Sequence, residues 1–169
     1  VDSARADLAV GRYWHAARLL RDVARSGVQL TPDDLLVLAR AEYGWRNWSG
    51  VVELLDGVSW LDETGDGEGW LLLARALEAH AEWAKAADTF GRYLGSAHAT
   101  ANPLLPGALA RQASVLARAD RSMEALAMLD RVAAASPLVA SWTALDAASA
   151  AADSGWVEEV RALLARPEI

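Results

Sequence analysis

Apolar residues recur along this chain with the period of an α-helix. Trp70, Leu73, Ala74 and Leu77 fall at i, i+3, i+4 and i+7, one stripe along a first helix. After a break at His80–Glu82, Trp83, Ala86, Ala87, Phe90, Tyr93 and Leu94 lay down a second stripe. Isolated helices of this length are marginal in water, so the two are expected to bury their stripes against each other as a hairpin. Ala74 and Ala86 stand at the expected crossing, where a small side chain lets two backbones approach closely.

The same pattern returns along the chain. Leu35, Leu38 and Ala39 occupy the places of Trp70, Leu73 and Ala74, and Trp48, Val51 and Leu55 those of Trp83, Ala86 and Phe90, each 35 residues earlier. Thr31 is expected to cap this helix, with Pro32 in its first turn and Asp33 and Asp34 at the positive end of its dipole. Nearer the start, Asp2–Val10 reads as the end of a helix and Arg12–Arg25 as the next, with Gly11, Tyr13, Ala16 and Leu20 matching a second half. A fourth hairpin carries Leu109, Ala113 and Leu116, then Ala125, Leu129, Val132 and Pro137. Leu109 follows Trp70 by 39 residues, the extra length lying in the Pro-containing connection 95–106. The fifth hairpin is read from Trp142, Leu145, Ala148 and Ala152, then Val160, Leu163 and Leu164, with Arg166-Pro167 ending it. Ser149 stands where that stripe wants a large apolar residue.

Trp70-x2-Leu73-Ala74-x2-Leu77, followed by Ala86-x3-Phe90, resembles a tetratricopeptide repeat, whose pattern has Gly and Tyr where Ala74 and Leu77 stand here. The resemblance implies an all-α fold, a right-handed α-solenoid of about five antiparallel hairpins. They are placed at about 1–28, 32–58, 68–95, 106–136 and 139–166, in one domain spanning 1–169 and read as a piece of a longer protein. It also implies a non-catalytic protein-interaction or scaffolding module. Trp60-Leu61-Asp62, among Ala-, Arg- and Trp-rich hairpins, is similar to the N-terminal helical region of bacterial soluble lytic murein transglycosylases. That resemblance implies a periplasmic scaffold whose catalytic domain lies outside this sequence, because the family's Glu-Ser motif is absent here. The tetratricopeptide reading alone implies the cytoplasm.

Composition narrows the partners. Hydrophobic residues make up 53% of the chain and charged ones 23%, ample for a core, and no apolar run approaches the roughly 20 residues of a membrane span. A net charge of −7 argues against nucleic acid, which needs a basic face. The expected partner is a protein or peptide, or another domain of the parent chain. With no Cys, neither a disulfide framework nor a thiolate metal site is available. No cofactor is expected.

Candidate chemistry is sparse. Asp62, Thr64, Asp66 and Gly67 match the first, third, fifth and sixth places of a calcium loop, but Leu73 holds the twelfth, where the bidentate Glu belongs. A solvated connection is the better reading. His15, His80 and His98 share no ligand spacing, and the adjacent Glu158 and Glu159 point about 100° apart on a helix. Among the Trp residues, Trp70, Trp48, Trp83 and Trp156 fit core positions; Trp14, Trp45, Trp60 and Trp142 fit less well, and for Trp45, near Tyr43, contact with a neighbouring hairpin is the better reading and a ligand platform the alternative. The candidate binding face follows from the offset. Leu71, Arg75 and Glu78 project away from the stripe, with Leu36, Arg40 and Tyr43 as their counterparts and Arg118 continuing the row. Arg40 and Arg75 are candidates to hold a carboxylate, or each pairs with an acid such as Glu42, Glu78 or Glu82.

Overall fold

The helical periodicity is borne out as helix, though not everywhere in phase. A computed structural model describes residues 1–153 and 155–165, which form ten α-helices and three short 3-10 turns with no strand among them. The helices are α1 (Asp2–Ala9), α2 (Tyr13–Arg25), α3 (Pro32–Gly44), α4 (Trp48–Leu55), α5 (Glu68–Ala79), α6 (Trp83–Gly95), α7 (Leu105–Arg118), α8 (Ser122–Ala135), α9 (Pro137–Asp153) and α10 (Val157–Leu164). The expected stop at Arg166-Pro167 and the side chain of Glu159 lie outside the described residues.

Two compact units divide the chain, Val1–His80 and Ala81–Ile169. In the first, α1 packs on α2, α2 on α3, and α3 on α4, while α5 packs on both α3 and α4. Its core joins Ala4, Ala16, Ala17, Leu20, Val37, Leu38 and Ala41, edged by Leu8, Leu19, Leu30 and Leu54. Thr31 caps α3 as expected: its hydroxyl accepts from the Asp34 amide, and the Asp34 carboxylate accepts from the Thr31 amide, a reciprocal capping box. Trp60-Leu61-Asp62 falls in a 3-10 turn, Ser59–Asp62, with Leu61 fully buried. The Trp70 indole N–H donates to Asp62 Oδ1 at 2.7 Å and ties that turn to α5. Gly65, Asp66 and Gly67 are all left-handed, with φ of 63°, 52° and 73°, so this connection folds back tightly before α5 begins. In the second unit α6 packs on α7, α7 on α8 and α9, α8 on α9, and α9 on α10.

The repeat is visible in the backbone itself. Left-handed residues open or precede the second helix of each pair at Gly11 (φ 77°), Arg46 (68°), Ala81 (58°), Asp120 (59°) and Gly155 (78°), spaced by 35 residues except for one step of 39. Around four of them the next amide reaches back to a carbonyl five residues earlier: Arg12 to Asp7, Asn47 to Glu42, Arg121 to Leu116 and Trp156 to Ala151. This is a Schellman closure of the preceding helix. Counting from these turns, the fifth and ninth residues onward are Ala16 and Leu20, Val51 and Leu55, Ala86 and Phe90, Ala125 and Leu129, and all eight are fully buried.

Two expectations about the core are corrected, one along α9 and one for the tryptophans. Along α9 the stripe does not run through Trp142, Leu145 and Ala152, which are exposed; Ala144, Ala147, Ala148 and Ala151 are buried instead. Small residues face the neighbouring helices because they permit closer approach, and the bulky ones are left outside; Ser149, with them, is also exposed. Of the four Trp placed in the core, only Trp70 is buried. Trp156 is 39% exposed. Trp48 and Trp83 are half-buried, the first packed edge-on against Tyr43 at 5.2 Å, the second with the Arg118 guanidinium 5.7 Å from its ring centroid.

Candidate functional site

The first unit builds a cleft from the face that the 35-residue offset selects. Arg40 and Tyr43 lie six and three residues before the turn residue Arg46, and Arg75 and Glu78 hold the same places before Ala81. Arg40, Tyr43, Arg46, Trp48 and Arg75, together with Leu8, Tyr13 and Gly44, line a cleft of about 590 Å³. Tyr13 lies flat on α3: a Cβ at Gly44 would come within 2.3 Å of its ring, so the missing side chain is what admits the aromatic wall. Trp48 meets Tyr43 edge to face, and the Arg75 guanidinium stands 5.9 Å from the Tyr43 ring centroid.

Two of the three arginines are already engaged. Arg40 Nε donates to both oxygens of Glu68, at 2.9 and 3.0 Å. Glu68 raises the Arg40 pKa through these bonds, against the opposing effect of burial. Arg75 Nε lies 3.4 Å from Glu78 Oε2. The pairing of these arginines with neighbouring acids therefore prevails, although Arg40 chooses Glu68 rather than Glu42, Glu78 or Glu82. Arg46 is exposed and has no ion-pair partner among the described residues. The cleft thus carries one surplus positive charge against three aromatic rings.

The remaining predicted site residues fall elsewhere. Leu71 is half-buried. Leu36 is 2% exposed, a correction to its place on a binding face: the connection before α5 covers it, and a Cβ at Gly65 would sit 2.2 Å from its Cδ2. Arg118 belongs to the second unit, and counted from its turn residue Asp120 it stands one helical turn beyond the place of Arg40 and Arg75, which Ser114 holds. It makes a bidentate pair with Asp146, 2.8 and 3.0 Å, and a 3.3 Å bond to the Ser114 carbonyl. The Arg118 bonds hold the Asp146 carboxyl below its ordinary value, more than burial raises it.

A second feature is legible only once the register is known. Glu42 occupies the place of Leu77 in the core stripe and is completely buried. Three donors satisfy its carboxylate: Arg21 Nε at 2.5 Å, Trp45 Nε1 at 3.0 Å and Asn47 Nδ2 at 2.7 Å. An acid buried this far from water is tolerated only when so surrounded. Trp45 is thereby anchored, 42% exposed, beside a second cleft of about 440 Å³ that Trp14, Arg18 and Arg25 also line. The histidines do not converge: His15 Nδ1 pairs with Asp7, and His80 Nε2 with Ser49 Oγ at 3.2 Å. Asp62, from the loop with calcium-like spacing, is engaged by Trp70. Comparison with protein-family models, with curated proteins and with solved structures finds no match to this chain.

Proposed function

We propose that this chain is a tetratricopeptide-like repeat module with a non-catalytic role in protein binding, and that its first unit takes an acidic peptide segment in the cleft around Arg46. Arg46 carries the reading: an arginine without an ion-pair partner among the described residues, in a cleft walled by Tyr13, Tyr43 and Trp48. A guanidinium offers a carboxylate two parallel charge-assisted bonds, and the rings offer area to the side chain beside it. Glu68 and Glu78 hold Arg40 and Arg75 in place, so the aromatic and cationic walls are formed before a ligand arrives. The constant turn spacing supports the repeat reading, since stacked units of one length are how such modules generate binding grooves.

Selection from a random peptide-display library against the intact chain tests this. The enriched sequences should place Asp, Glu or a free C-terminus next to an aromatic or aliphatic residue. Arg46→Glu should weaken the selected peptide about tenfold or more, the usual scale for losing a charge-assisted contact. Binding that survives both Arg46→Glu and Arg75→Glu, or a selection that enriches nothing acidic, rejects the proposal.

A further inference from the structure

Two residues beside the second cleft of the first unit run against the frame that the turn residues set. Four places before the turn, where Leu77 and Leu116 fill the core of later hairpins, stands the fully buried carboxylate Glu42. Four places after it, where Lys85 and Glu124 stand, Gly50 gives up helix propensity within α4. Neither choice favours stability, since a buried ion pair is seldom better than an apolar residue of its size. Residues that break a local rule in this way mark a site with another use. Both serve the same three side chains. Glu42 accepts from Arg21, Trp45 and Asn47. A Cβ at Gly50 would come within 2.4 Å of the Asn47 amide nitrogen and 3.0 Å of an Arg21 Nη. Arg21, Trp45 and Asn47 all line the second cleft, whose walls lie inside the first unit, on α2 and the turn joining α3 to α4.

The set of residues in this cleft is not a property of the repeat. The places of Trp14, Arg18 and Arg21 hold Ser49, Glu53 and Asp56 in the second hairpin and Ala84, Asp88 and Gly91 in the third, and neither the fourth nor the fifth restores an arginine there. In a chain of net charge −7, α2 thus gathers three arginines, Arg18, Arg21 and Arg25, beside one cleft. Asp22 pairs with Arg18 and Arg25, and Glu42 with Arg21, which leaves one positive charge in excess. Arg21 is committed through Nε, and its Nη groups donate no hydrogen bond among the described residues. Both carboxylates are already occupied as acceptors. What the cleft offers a ligand is therefore cationic donors and two indole faces, Trp14 at 54% and Trp45 at 42% exposed. The Arg18 guanidinium stands 5.6 Å from the Trp14 ring centroid, and the bond to Glu42 fixes the Trp45 ring. A sugar hydroxyl needs acceptors as well as donors and is poorly served here, whereas a flat anion meets both features.

We infer that the cleft of Trp14, Arg18, Arg21 and Trp45 binds an aromatic ring bearing a phosphate or carboxylate, the ring against the indoles and the oxyanion on the guanidinium groups. A free aryl phosphate and a phosphorylated tyrosine side chain present the same chemistry. The inference does not rest on the Arg46 cleft.

The probe is phenyl phosphate, titrated into the intact chain by calorimetry. Saturable binding is expected. Methyl phosphate, which lacks the ring, and phenol, which lacks the charge, should each bind about tenfold more weakly or less. Trp14→Ala and Arg18→Glu change exposed side chains, so each should keep the circular dichroism spectrum while weakening phenyl phosphate about tenfold. Glu42→Leu, which restores the apolar residue of the frame, should weaken it severalfold by releasing Arg21 and Trp45. Arg46→Glu should leave it unchanged. A capped phosphotyrosine peptide that binds more tightly than phenyl phosphate identifies a protein side chain as the source, and equal affinity identifies a free molecule; either supports the inference. No saturable binding, methyl phosphate or phenol binding as tightly as phenyl phosphate, or affinity unchanged in both Trp14→Ala and Arg18→Glu overturns it. So does an equal loss in Arg46→Glu, because the ligand would then occupy the other cleft.

Discussion

At the scale of single residues, the turns hold the clearest conflict between side chain and backbone. Gly11 and Gly155 take left-handed φ freely, whereas Arg46, Ala81 and Asp120 adopt it with a Cβ in place. Ala81→Gly should therefore raise stability by about 0.5–1 kcal/mol, the relief of left-handed strain less the entropy glycine adds to the unfolded chain, measurable by urea denaturation. Gly65→Ala should do the reverse and cost about 2 kcal/mol, because φ is +63° there and the new Cβ would press on Leu36. Equal stability of these variants and the parent would mean the backbone relaxes at both sites. The sequence carried part of this. Arg40, Tyr43 and Arg75 could be placed on one face from the 35-residue offset alone, because helical spacing fixes relative direction. Arg46 could not, since it lies in a turn and outside any stripe. Leu36 was misplaced because periodicity along one helix is blind to the loop that comes to lie over it.

At the scale of elements, stripes of large residues were read well and stripes of alanine poorly. In α5 and α7 the bulky residues face inward, so Leu73, Leu77, Leu109 and Leu116 are buried as expected. In α9 the alanines take that face, and a reading weighted toward large side chains turns the helix the wrong way. Beside this packing, the Arg118 pair adds a link from α9 to α7 through Asp146. The Asp146 carboxyl ordinarily titrates at 3.8 and is held lower here, first by the bonds from Arg118. A depressed value means that the folded chain binds fewer protons than the unfolded one near that pH. The contribution of the pair is then complete above the ordinary value and disappears as the pH falls through the native one. Asp146→Asn should lower the melting temperature by a constant amount above about pH 5, and the difference from the parent should shrink below that. A difference that stays level into strong acid would show that the carboxylate charge contributes nothing.

At the scale of the whole molecule, the helical periodicity was legible because a constant offset is hard to imitate, and the positions of the left-handed residues repeat that offset in the backbone. The division at His80 was not legible, since the same stripe chemistry runs through it without a change of composition. Burial also predicts how firmly each part is held. Amides of α10, whose Val157 and Leu164 are exposed, should exchange with solvent faster than those of α4, where Val51 and Leu55 are fully buried. Equal protection of the two helices, read by hydrogen exchange with mass spectrometry, would contradict this. The single 39-residue step has a practical side. The extra residues sit in the connection between α6 and α7, which holds its own short turn, Ala99–Ala101, and no helix on either side loses its phase. The stripes of α6 and α7 keep their phase across this longer connection, so a fluorescent reporter or an affinity tag spliced between Ala101 and Leu104 should leave both helices intact by circular dichroism.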